Sequence, residues 1–285
     1  MKALFWNIGE EQTAEKMTAL SELIDIEEPN IICIAEGSKS KDACIILNNM
    51  VTNKGYTNYY SPIFSDNTNL ELGYKWVRNG LKVYYKNIAL LAIFTKSKQS
   101  EDGRIISIRF EHNRQEYSFI FLHNYSKIND PQKQKDFIDS LNDNIIEIAA
   151  EIKKDKYVLI GDFNAEPWDD ILRQKRFIDS YFINRQYNIR ARDNRGVYYF
   201  NPSLESIING QQSINLAGTY HGSTYYWALF DFVLIGNGLD GHINYQIVTG
   251  FGNKKLLKDN EDIKMRDQFL EYGFDHLPIL VTLKD

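Results

Sequence analysis

The sequence predicts an α+β fold in which β-sheets pack together and helices cover them. Short apolar runs alternate with longer amphipathic segments along the 285 residues. Residues 56–123 instead contain apolar runs in succession, separated by Asn and Gly, as in antiparallel strands joined by hairpins. The chain also holds 18 Tyr and 16 Phe, residue types that favour strands. At 43% hydrophobic residues, it can bury a sizeable core.

The first predicted elements alternate between strand and helix. Apolar residues at helical spacing from Met17 to Ile24 predict a helix, and Pro29 stops it. The apolar run at 31–35 predicts a buried strand. The predicted elements are a strand at 3–8, a helix at 13–26, a strand at 31–35 and a helix at 41–53.

The middle of the chain is predicted to form strands only. Apolar and aromatic runs of strand length recur here, and turn-forming residues separate them. The predicted strands cover residues 57–64, 81–85, 88–96, 104–111 and 117–123.

The C-terminal half is predicted to begin with a long helix from Pro131 to Ile152. Proline is favoured in the first turn of a helix. A buried strand is then predicted at Tyr157–Ile160, where four apolar residues run into Gly161. After a loop-rich stretch, further strands are predicted at 229–235, 243–249 and 279–283.

The composition favours a soluble cytoplasmic protein. A net charge of −5 gives the chain as a whole no general attraction for nucleic acid. Cys33 and Cys44 are too few for a disulfide framework, which indicates a reducing compartment. The N-terminal apolar run is too short for a signal peptide, and no segment has the length of a transmembrane helix. We therefore expect no membrane insertion, while the oligomeric state stays open.

Polar residues of catalytic types stand at the ends of several predicted strands, where functional residues tend to collect on a rigid sheet. Singly, each has an ordinary explanation: Asn7 as a turn cap, Glu36 as a solvated carboxylate, His123 as a core histidine. Asp231 lies between two phenylalanines and is costly to bury without a partner. The full set comprises Asn7, Glu36, His123, Asp162, Asn164, Asp231, Asp275 and His276.

These residues lie in six ordered segments, namely FWNIG (Phe5–Gly9), IAEG (Ile34–Gly37), FLHN (Phe121–Asn124), GDFNAEP (Gly161–Pro167), FDFVLI (Phe230–Ile235) and FDHLPI (Phe274–Ile279). Together the segments resemble the endonuclease/exonuclease/phosphatase superfamily, and they span essentially the whole chain. The resemblance implies the deoxyribonuclease I-like fold, a four-layer α/β sandwich of two packed, mostly antiparallel β-sheets flanked by helices. Since one site would draw on both ends of the chain, we expect a single domain at residues 1–285.

Three positions depart from the family pattern. Ala35 precedes the glutamate where the family usually has Gln, and Phe274 precedes the terminal Asp-His pair where Ser is usual. Asn124 follows His123 where Leu is commoner. None of these departures removes a group that does chemistry, but together they indicate a divergent branch.

The resemblance implies a site for a divalent metal, Mg²⁺ or Mn²⁺. Glu36 is a hard oxygen ligand that suits Mg²⁺. The family pattern places Asn7 beside it, and Asp275 would add a further oxygen. Such a metal neutralises the phosphate and the charge that develops on the leaving oxygen.

The resemblance also implies the catalytic groups. Asp162 is expected to orient and deprotonate the attacking water. Its one-residue separation from Asn164 on an extended segment predicts that both side chains point to one side, so that Asn164 donates to the same phosphate. His276 and Asp231 resemble the family's His–Asp pair, in which the carboxylate favours imidazolium. His123 is expected to bind a phosphate oxygen or to protonate the leaving group.

The substrate is expected to be a phosphoester, and a basic segment favours nucleic acid. Between Arg173 and Arg195 lie seven basic and two acidic residues, interleaved with Tyr and Phe. This composition suits a phosphate backbone and unstacked bases, although basic runs are more often solvated surface. A weaker patch of the same kind covers Tyr74–Lys86. Substrate contacts are predicted for Arg173, Arg176, Arg190 and Arg192.

Two alternatives stay open. An enzyme of the same mechanism could act on a small phosphoester or a phospholipid headgroup, because the fold hosts several substrate classes. A non-catalytic binding module could also keep the fold, but the intact set of polar residues argues against it. The leading prediction is a metal-dependent nuclease or phosphodiesterase acting on DNA or RNA.

Overall fold

Strands dominate the part of the chain that the computed structural model describes. That part comprises residues 1–37, 41–59, 80–94, 103–126, 131–138, 141, 156–173, 179–181, 198–200, 219–221, 227–236, 239, 241–256 and 271–284. The strands are β1 (Lys2–Asn7), β2 (Ile31–Ala35), β3 (Thr57–Tyr59), β4 (Lys82–Tyr85), β5 (Ala89–Phe94), β6 (Ile105–His112), β7 (Gln115–His123), β8 (Tyr157–Asp162), β9 (Asp179–Tyr181), β10 (Tyr198–Phe200), β11 (Tyr220–His221), β12 (Trp227–Ala228), β13 (Asp231–Ile235), β14 (Ile243–Ile247), β15 (Gly250–Phe251), β16 (Lys254–Lys255) and β17 (Ile279–Leu283).

These strands form two large sheets and two small hairpins. The first sheet has six strands in the order β14-β17-β1-β2-β4-β3, and the second has seven in the order β5-β6-β7-β8-β13-β10-β9. A parallel pair lies inside each sheet, β1 with β2 and β7 with β8, and most other neighbours are antiparallel. The predicted α+β fold with two mostly antiparallel sheets is therefore confirmed.

The helices are α1 (Ala14–Glu27), α2 (Lys41–Thr52) and the short α3 (Asp170–Arg173), and residues 131–138 are also helical. Thr13 caps α1, since its side chain accepts a hydrogen bond from the backbone N–H of Lys16. The helix ends at Glu27, and the following Glu28 caps it with a left-handed φ of 46°. Within the described ranges, no helix combines the length and the apolar composition that crossing a bilayer requires.

Side chains of the central strands alternate between two apolar clusters. Phe5 of β1 and Phe121 of β7 belong to a cluster drawn from both sheets, which places that cluster between them. Their strand neighbours Trp6 and Leu122 point the other way, into a cluster that also contains helix residues such as Leu20. Both faces of the central strands are thus buried, as their continuous apolar runs indicate.

Element bounds differ from the predicted ones mainly at the ends. The strand predicted at 229–235 begins at Asp231, so this aspartate opens β13 and does not lie within it. The long helix predicted from Pro131 to Ile152 is helical at 131–138 and at 141, and its remaining predicted residues lie outside the described ranges. The predicted strand at 57–64 is observed as β3, and its residues from 60 onward also lie outside.

Candidate active site

The ends of the central strands lie at one edge of the two packed sheets. In the first sheet, parallel β1 and β2 end together, with Asn7 paired to Ala35, directly before Glu36. In the second sheet, parallel β7 and β8 end at the pair His123 and Asp162. Asp231 opens the antiparallel β13 directly opposite Asp162. The register of each sheet therefore delivers polar side chains to a shared edge.

Asp231 and His276 form a buried pair across the two sheets. Nδ1 of His276 lies 2.7 Å from Oδ2 of Asp231, and both residues are almost completely inaccessible to solvent. Burial alone would lower the pKa of His276, but the charge of Asp231 and its hydrogen bond outweigh burial and raise the pKa to about 10. His276 is therefore an imidazolium at neutral pH, with Nδ1–H donated to Asp231 and Nε2–H directed elsewhere.

The main chain around this pair is also fixed. The indole Nε1 of Trp6 donates to the carbonyl of His276 at 2.9 Å. The backbone N–H of Asp231 donates to Oγ1 of Thr219 at 2.8 Å. The ring of Tyr220 lies 4.7 Å from the imidazole ring. These contacts leave the His276 ring little freedom to rotate away from its carboxylate.

Asp162 is buried beside the pair and is bonded to Asn7. Nδ2 of Asn7 donates to Oδ2 of Asp162 at 3.1 Å, and the same nitrogen lies 3.5 Å from Nε2 of His276. Burial, followed by the negative charge of Asp231, raises the pKa of Asp162 to about 7. Its proton affinity is therefore well above that of an ordinary aspartate.

The contact between Asn7 and His276 joins two donors. An amide NH₂ can only donate, and so can Nε2 of an imidazolium. Two donors at 3.5 Å do not bond to each other, but both can donate to one oxygen placed between them. Next to a carboxylate, this arrangement forms a small site for an anionic oxygen such as that of a phosphate.

The loop after β8 differs from the predicted extended segment at Asn164. Asn164 is not on an extended segment, because β8 ends at Asp162 and Asn164 adopts a left-handed φ of 48°. Its backbone N–H donates to Oδ1 of Asp162 at 2.8 Å, and its Nδ2 donates to the carbonyl of Asn124 at 3.0 Å. A turn closed by the aspartate, and not strand alternation, therefore sets the position of Asn164.

The close approach of strands β7 and β8 requires the glycine that opens the GDFN segment, Gly161. A Cβ at this position would lie 2.0 Å from the carbonyl oxygen of Leu122 on the neighbouring strand β7. Only glycine allows the two backbones to approach this closely. That approach sets the pairing of His123 with Asp162 at the ends of β7 and β8.

His123 lies between two carboxylates on one side and a guanidinium on the other. Its Nε2 is 3.6 Å from Oε1 of Glu36 and 3.8 Å from Oδ2 of Asp162. Nη1 of the buried Arg104 lies 3.5 Å from Nδ1 and donates to the carbonyls of His123 and Asn124. Nε2 of His123 therefore faces the carboxylates of the site, while Arg104 holds the backbone on the other side of the ring.

Glu36, Asp275 and Asn7 lie together at the end of the first sheet. The pKa of Glu36 is raised, mainly by burial and further by the charge of Asp275. The charge of His276 and a hydrogen bond from Asn7 act in the opposite direction and offset part of this rise. The loops that carry these residues are joined by the backbone N–H of Gly37, which donates to the carbonyl of Gly9 at 2.8 Å. Glu36 itself has a left-handed φ of 59°, a conformation that often marks functional positions.

A divalent cation fits this acidic group. Oδ1 of Asp275 is buried and has no hydrogen-bond partner among the described residues. A buried, unpaired carboxylate oxygen is costly, and a metal ion would satisfy it. The side chains of Asp162, Asp231 and His276 also lie close, with one ligand atom from each within 4.8 Å of the others. In that group, however, Nδ1 of His276 already donates to Asp231, so it offers no lone pair to a metal.

Few of the predicted basic residues lie within the described part of the chain. Arg173 closes α3, but its side chain is not among those described, and Arg176, Arg190 and Arg192 lie outside the described residues. In the second patch, Lys82 is buried and donates to the carbonyls of Glu36 and Gly80. Lys86 donates to the carbonyl of Lys54 at 2.8 Å. These two lysines therefore stabilise main-chain turns.

Three residues near the site were not predicted from the sequence. Arg104 donates to the carbonyls of His123 and Asn124. The buried Lys16 donates to the carbonyl of Ile8 at 2.8 Å and lies 5.3 Å above the ring of Phe274. Asn124 appeared only as a departure from the family pattern, yet its Nδ2 donates to the carbonyl of Phe163 at 2.9 Å. A basic residue buried in an apolar strand or helix face carries no distinguishing sequence signal.

No protein-family model and no curated protein matches this sequence. Solved structures match it along its whole length. The truncated Caenorhabditis elegans TDP2 is 14% identical with a TM-score of 0.60, and 100% of this chain and 97% of that chain are covered. D. rerio TDP2 complexed with single strand DNA product is 11% identical with a TM-score of 0.58, covering 100% and 99%.

A third match is a 3'-5' exonuclease, NExo, from Neisseria meningitidis. It is 15% identical with a TM-score of 0.59, and both chains are covered completely, at 100% each. These neighbours are members of the endonuclease/exonuclease/phosphatase superfamily. The chain therefore has the deoxyribonuclease I-like fold, and its predicted resemblance to the endonuclease/exonuclease/phosphatase superfamily is confirmed at the level of the fold.

Proposed function

We propose that this chain is a divalent-metal-dependent phosphodiesterase that hydrolyses phosphodiester bonds in DNA or RNA. The observation that carries the proposal is the convergence of carboxylates, imidazoles and an amide at one sheet edge, centred on the 2.7 Å contact between His276 and Asp231. The strands of the first sheet come from both ends of the chain, which supports a single domain at residues 1–285 as part of the proposal.

Asp162 would hold and deprotonate the attacking water. Its Oδ1 and Oδ2 each accept one hydrogen bond, from Asn164 and Asn7, and these bonds fix the carboxylate plane. As the water oxygen bonds to phosphorus, its proton passes to Asp162. The bond from phosphorus to the leaving oxygen breaks with its electron pair, and that oxygen is reprotonated from solvent. Fixing the water in line with the leaving oxygen accounts for much of the rate.

His276, Asn7 and His123 would bind the phosphate oxygens. Nε2 of the His276 imidazolium and Nδ2 of Asn7 face one position, which an anionic oxygen would occupy. His123, whose Nε2 lies 3.6 Å from Oε1 of Glu36 and 3.8 Å from Oδ2 of Asp162, would act as a further phosphate ligand. Donors aimed at developing charge in a buried site stabilise the transition state.

Glu36 and Asp275, with Asn7, would hold Mg²⁺ or Mn²⁺. When bound, the metal supplies positive charge that polarises the phosphate and stabilises the leaving oxygen. Two carboxylates suit Mg²⁺, which keeps most of its water ligands. The unpaired Oδ1 of Asp275 is the feature of this chain that best supports such a site.

Nucleic acid is the proposed substrate class. The support comes from the structural neighbours, one described as a 3'-5' exonuclease and another as complexed with single strand DNA product. The basic segment from Arg173 to Arg195 gives this chain a local positive charge that the whole molecule lacks. Its arginines, including Arg176, Arg190 and Arg192, are proposed to contact the phosphate backbone.

An activity screen tests the proposal. Purified protein is assayed with Mg²⁺ or Mn²⁺ on DNA, RNA, inositol phosphates and a choline phospholipid, with and without EDTA. We expect metal-dependent cleavage of a polynucleotide and no turnover by Asp162→Asn. The matched control is Asp25→Asn, which removes an exposed carboxylate paired with Lys54 and should keep the wild-type rate. Hydrolysis of only the small phosphoesters would contradict the proposal.

A further inference from the structure

Trp168 is an exposed aromatic side chain close to the candidate active site. Among the described residues, the exposed large apolar side chains are Ile26, Ile45, Ile46, Leu91 and Trp168. Trp168 is the aromatic member of this set, with 46% of its surface exposed. A tryptophan buries a large apolar area when a partner covers it, so leaving it exposed forfeits stabilisation that burial would give.

The indole of Trp168 is held in place, although it is exposed. Its Nε1 donates to Oε2 of Glu166 at 2.9 Å. The backbone N–H of Glu166 donates to Oδ2 of Asp169 at 3.1 Å, and the N–H of Asp169 donates back to the carbonyl of Glu166 at 2.8 Å. This closed turn fixes the segment that carries the ring. The ring is therefore preorganised before any ligand arrives.

The turn is anchored next to the proposed catalytic loop. Ala165 is buried to 1% exposure and Leu172 to 0%, so the core holds the segment on both sides of Trp168. Trp168 follows Asn164 by four residues, which limits their Cα separation to about 15 Å. A strand with one phosphate in the site would therefore bring a base within reach of the indole.

We propose that Trp168 is a stacking platform for an unpaired nucleobase, and that the chain accordingly prefers single-stranded nucleic acid or frayed ends over intact duplex. The inference rests on the proposed function, since it names the substrate form that the same site takes. Both faces of a base inside a duplex are covered by its neighbours, whereas an unpaired base offers a free face to an aromatic ring. The donated indole N–H fixes the orientation of the ring, and the exposed part of the ring can take such a contact.

The test is equilibrium binding in EDTA, which separates binding from turnover. Fluorescein-labelled oligonucleotides of one length are compared as a single strand, the same strand with abasic sites, and a blunt duplex. The proteins are the wild type, Trp168→Ala, Trp168→Phe and the control Leu91→Ala, whose native side chain is also 46% exposed. We expect Trp168→Ala to raise the Kd for the single strand about tenfold, the loss typical of one base–aromatic stack.

The other arms distinguish stacking from a general effect. Trp168→Phe should recover most of the affinity, and Leu91→Ala should bind like the wild type. The abasic strand should bind the wild type weakly and should not respond to Trp168→Ala. Equal losses on the base-containing and abasic strands, an unchanged Kd for the single strand, or tighter binding of duplex than of single strand would each overturn the inference.

Failure of the inference and failure of the proposed function are separable. Metal-dependent cleavage with no response of Kd to Trp168→Ala would retain the nuclease and reject the stacking platform. A base-dependent loss of binding without metal-dependent cleavage would retain the platform and reject the enzyme. No binding of any strand by the wild type would reject the platform, and the activity screen would then decide the function alone.

Discussion

Nδ1 of His276 lies 2.7 Å from Oδ2 of Asp231, and this contact joins the two sheets. Asp231 opens β13 of the second sheet, whereas His276 stands just before β17 of the first. The pair can therefore form only when the sheets are packed against each other. Burial of the pair and the ionisation of the imidazole follow from that packing.

The first prediction concerns this pair. Asp231→Asn keeps the shape of the side chain but removes the charge that favours imidazolium. We expect kcat/KM to fall about 100-fold or more, the usual cost of losing one donor that stabilises charge developing in the transition state. The measurement is steady-state cleavage of a labelled oligonucleotide, with urea unfolding to verify that the variant is folded. Asp25→Asn serves as the control, and a wild-type rate for Asp231→Asn would remove the pair from the mechanism.

The second prediction concerns the metal. Glu36→Gln removes one negative ligand, so we expect Mn²⁺ to bind at least about tenfold more weakly. Titration calorimetry with Mn²⁺ measures this without relying on turnover. Glu22→Gln is the control, because Glu22 is an exposed carboxylate that pairs with Lys254 at 2.7 Å. Equal Mn²⁺ affinity in the wild type and Glu36→Gln would show that the metal lies elsewhere.

The third prediction uses two glycines with similar backbones and different surroundings. Gly9 and Gly241 have φ of +71° and +79°. A Cβ on Gly9 would lie 3.2 Å from Nζ of Lys16 and 3.4 Å from Oδ1 of Asp275, whereas one on Gly241 meets nothing within 4 Å. Alanine at either position should cost about 1–2 kcal/mol in unfolding free energy, because left-handed φ is strained with a Cβ.

Only Gly9→Ala should also lower activity, by about tenfold, because the new Cβ crowds Nζ of Lys16 at 3.2 Å, directly beside the Asp275 carboxylate of the proposed metal site. Urea unfolding and initial rates on the same preparations measure both effects. If the two alanine variants lose activity equally, the space around Gly9 is not a feature of the site.

The fourth prediction is a pH dependence of stability. The hydroxyl of Tyr56 donates to the carbonyl of Pro29 at 2.6 Å, and burial, followed by the charges of Glu28 and Asp25, raises its pKa to about 12. The unfolded chain ionises this phenol near pH 10, so its stabilising effect is complete below about pH 10 and is lost toward pH 12. Tyr56→Phe lacks both the bond and the titration.

We therefore expect Tyr56→Phe to be less stable than the wild type by about 1 kcal/mol at pH 8, the net worth of one hydrogen bond. The difference should shrink as the pH rises from 10 to 12. Urea unfolding at pH 8, 10, 11 and 12 measures it. A difference that stays constant over this range would mean that the phenol ionises alike in the folded and unfolded chains.

Local pattern was sufficient for most of the fold. The apolar runs that predict β2 and β17 coincide with the observed strands, Ile31–Ala35 and Ile279–Leu283. Strands of two residues, such as β11 and β15, were not predicted, because so few residues show no periodicity. The start of β13 was predicted two residues too early, at Leu229. Leu229 and Phe230 continue the apolar run, whereas the observed strand begins at Asp231.

The position of Asn164 shows where local pattern fails. Strand alternation predicted the direction of its side chain relative to Asp162, but a hydrogen bond donated by the backbone N–H of Asn164 to the Asp162 carboxylate turns the backbone at that point. The turned backbone is also held by Asn124, which directly follows the neighbouring strand β7. Its carbonyl accepts a hydrogen bond from Nδ2 of Asn164. That partner is distant in sequence.

Side-chain periodicity and motif order along the chain were enough to predict the α+β class, the types of most elements, and the polar residues that end the central strands. Three contacts became visible only in the folded chain: Asp231 with His276, Arg104 with His123, and the buried Lys82 with the carbonyl of Glu36. The physical reason is that such contacts depend on strand register and on how the two sheets pack. Those are properties of pairs of residues far apart in the chain, and periodicity within any one segment does not encode them.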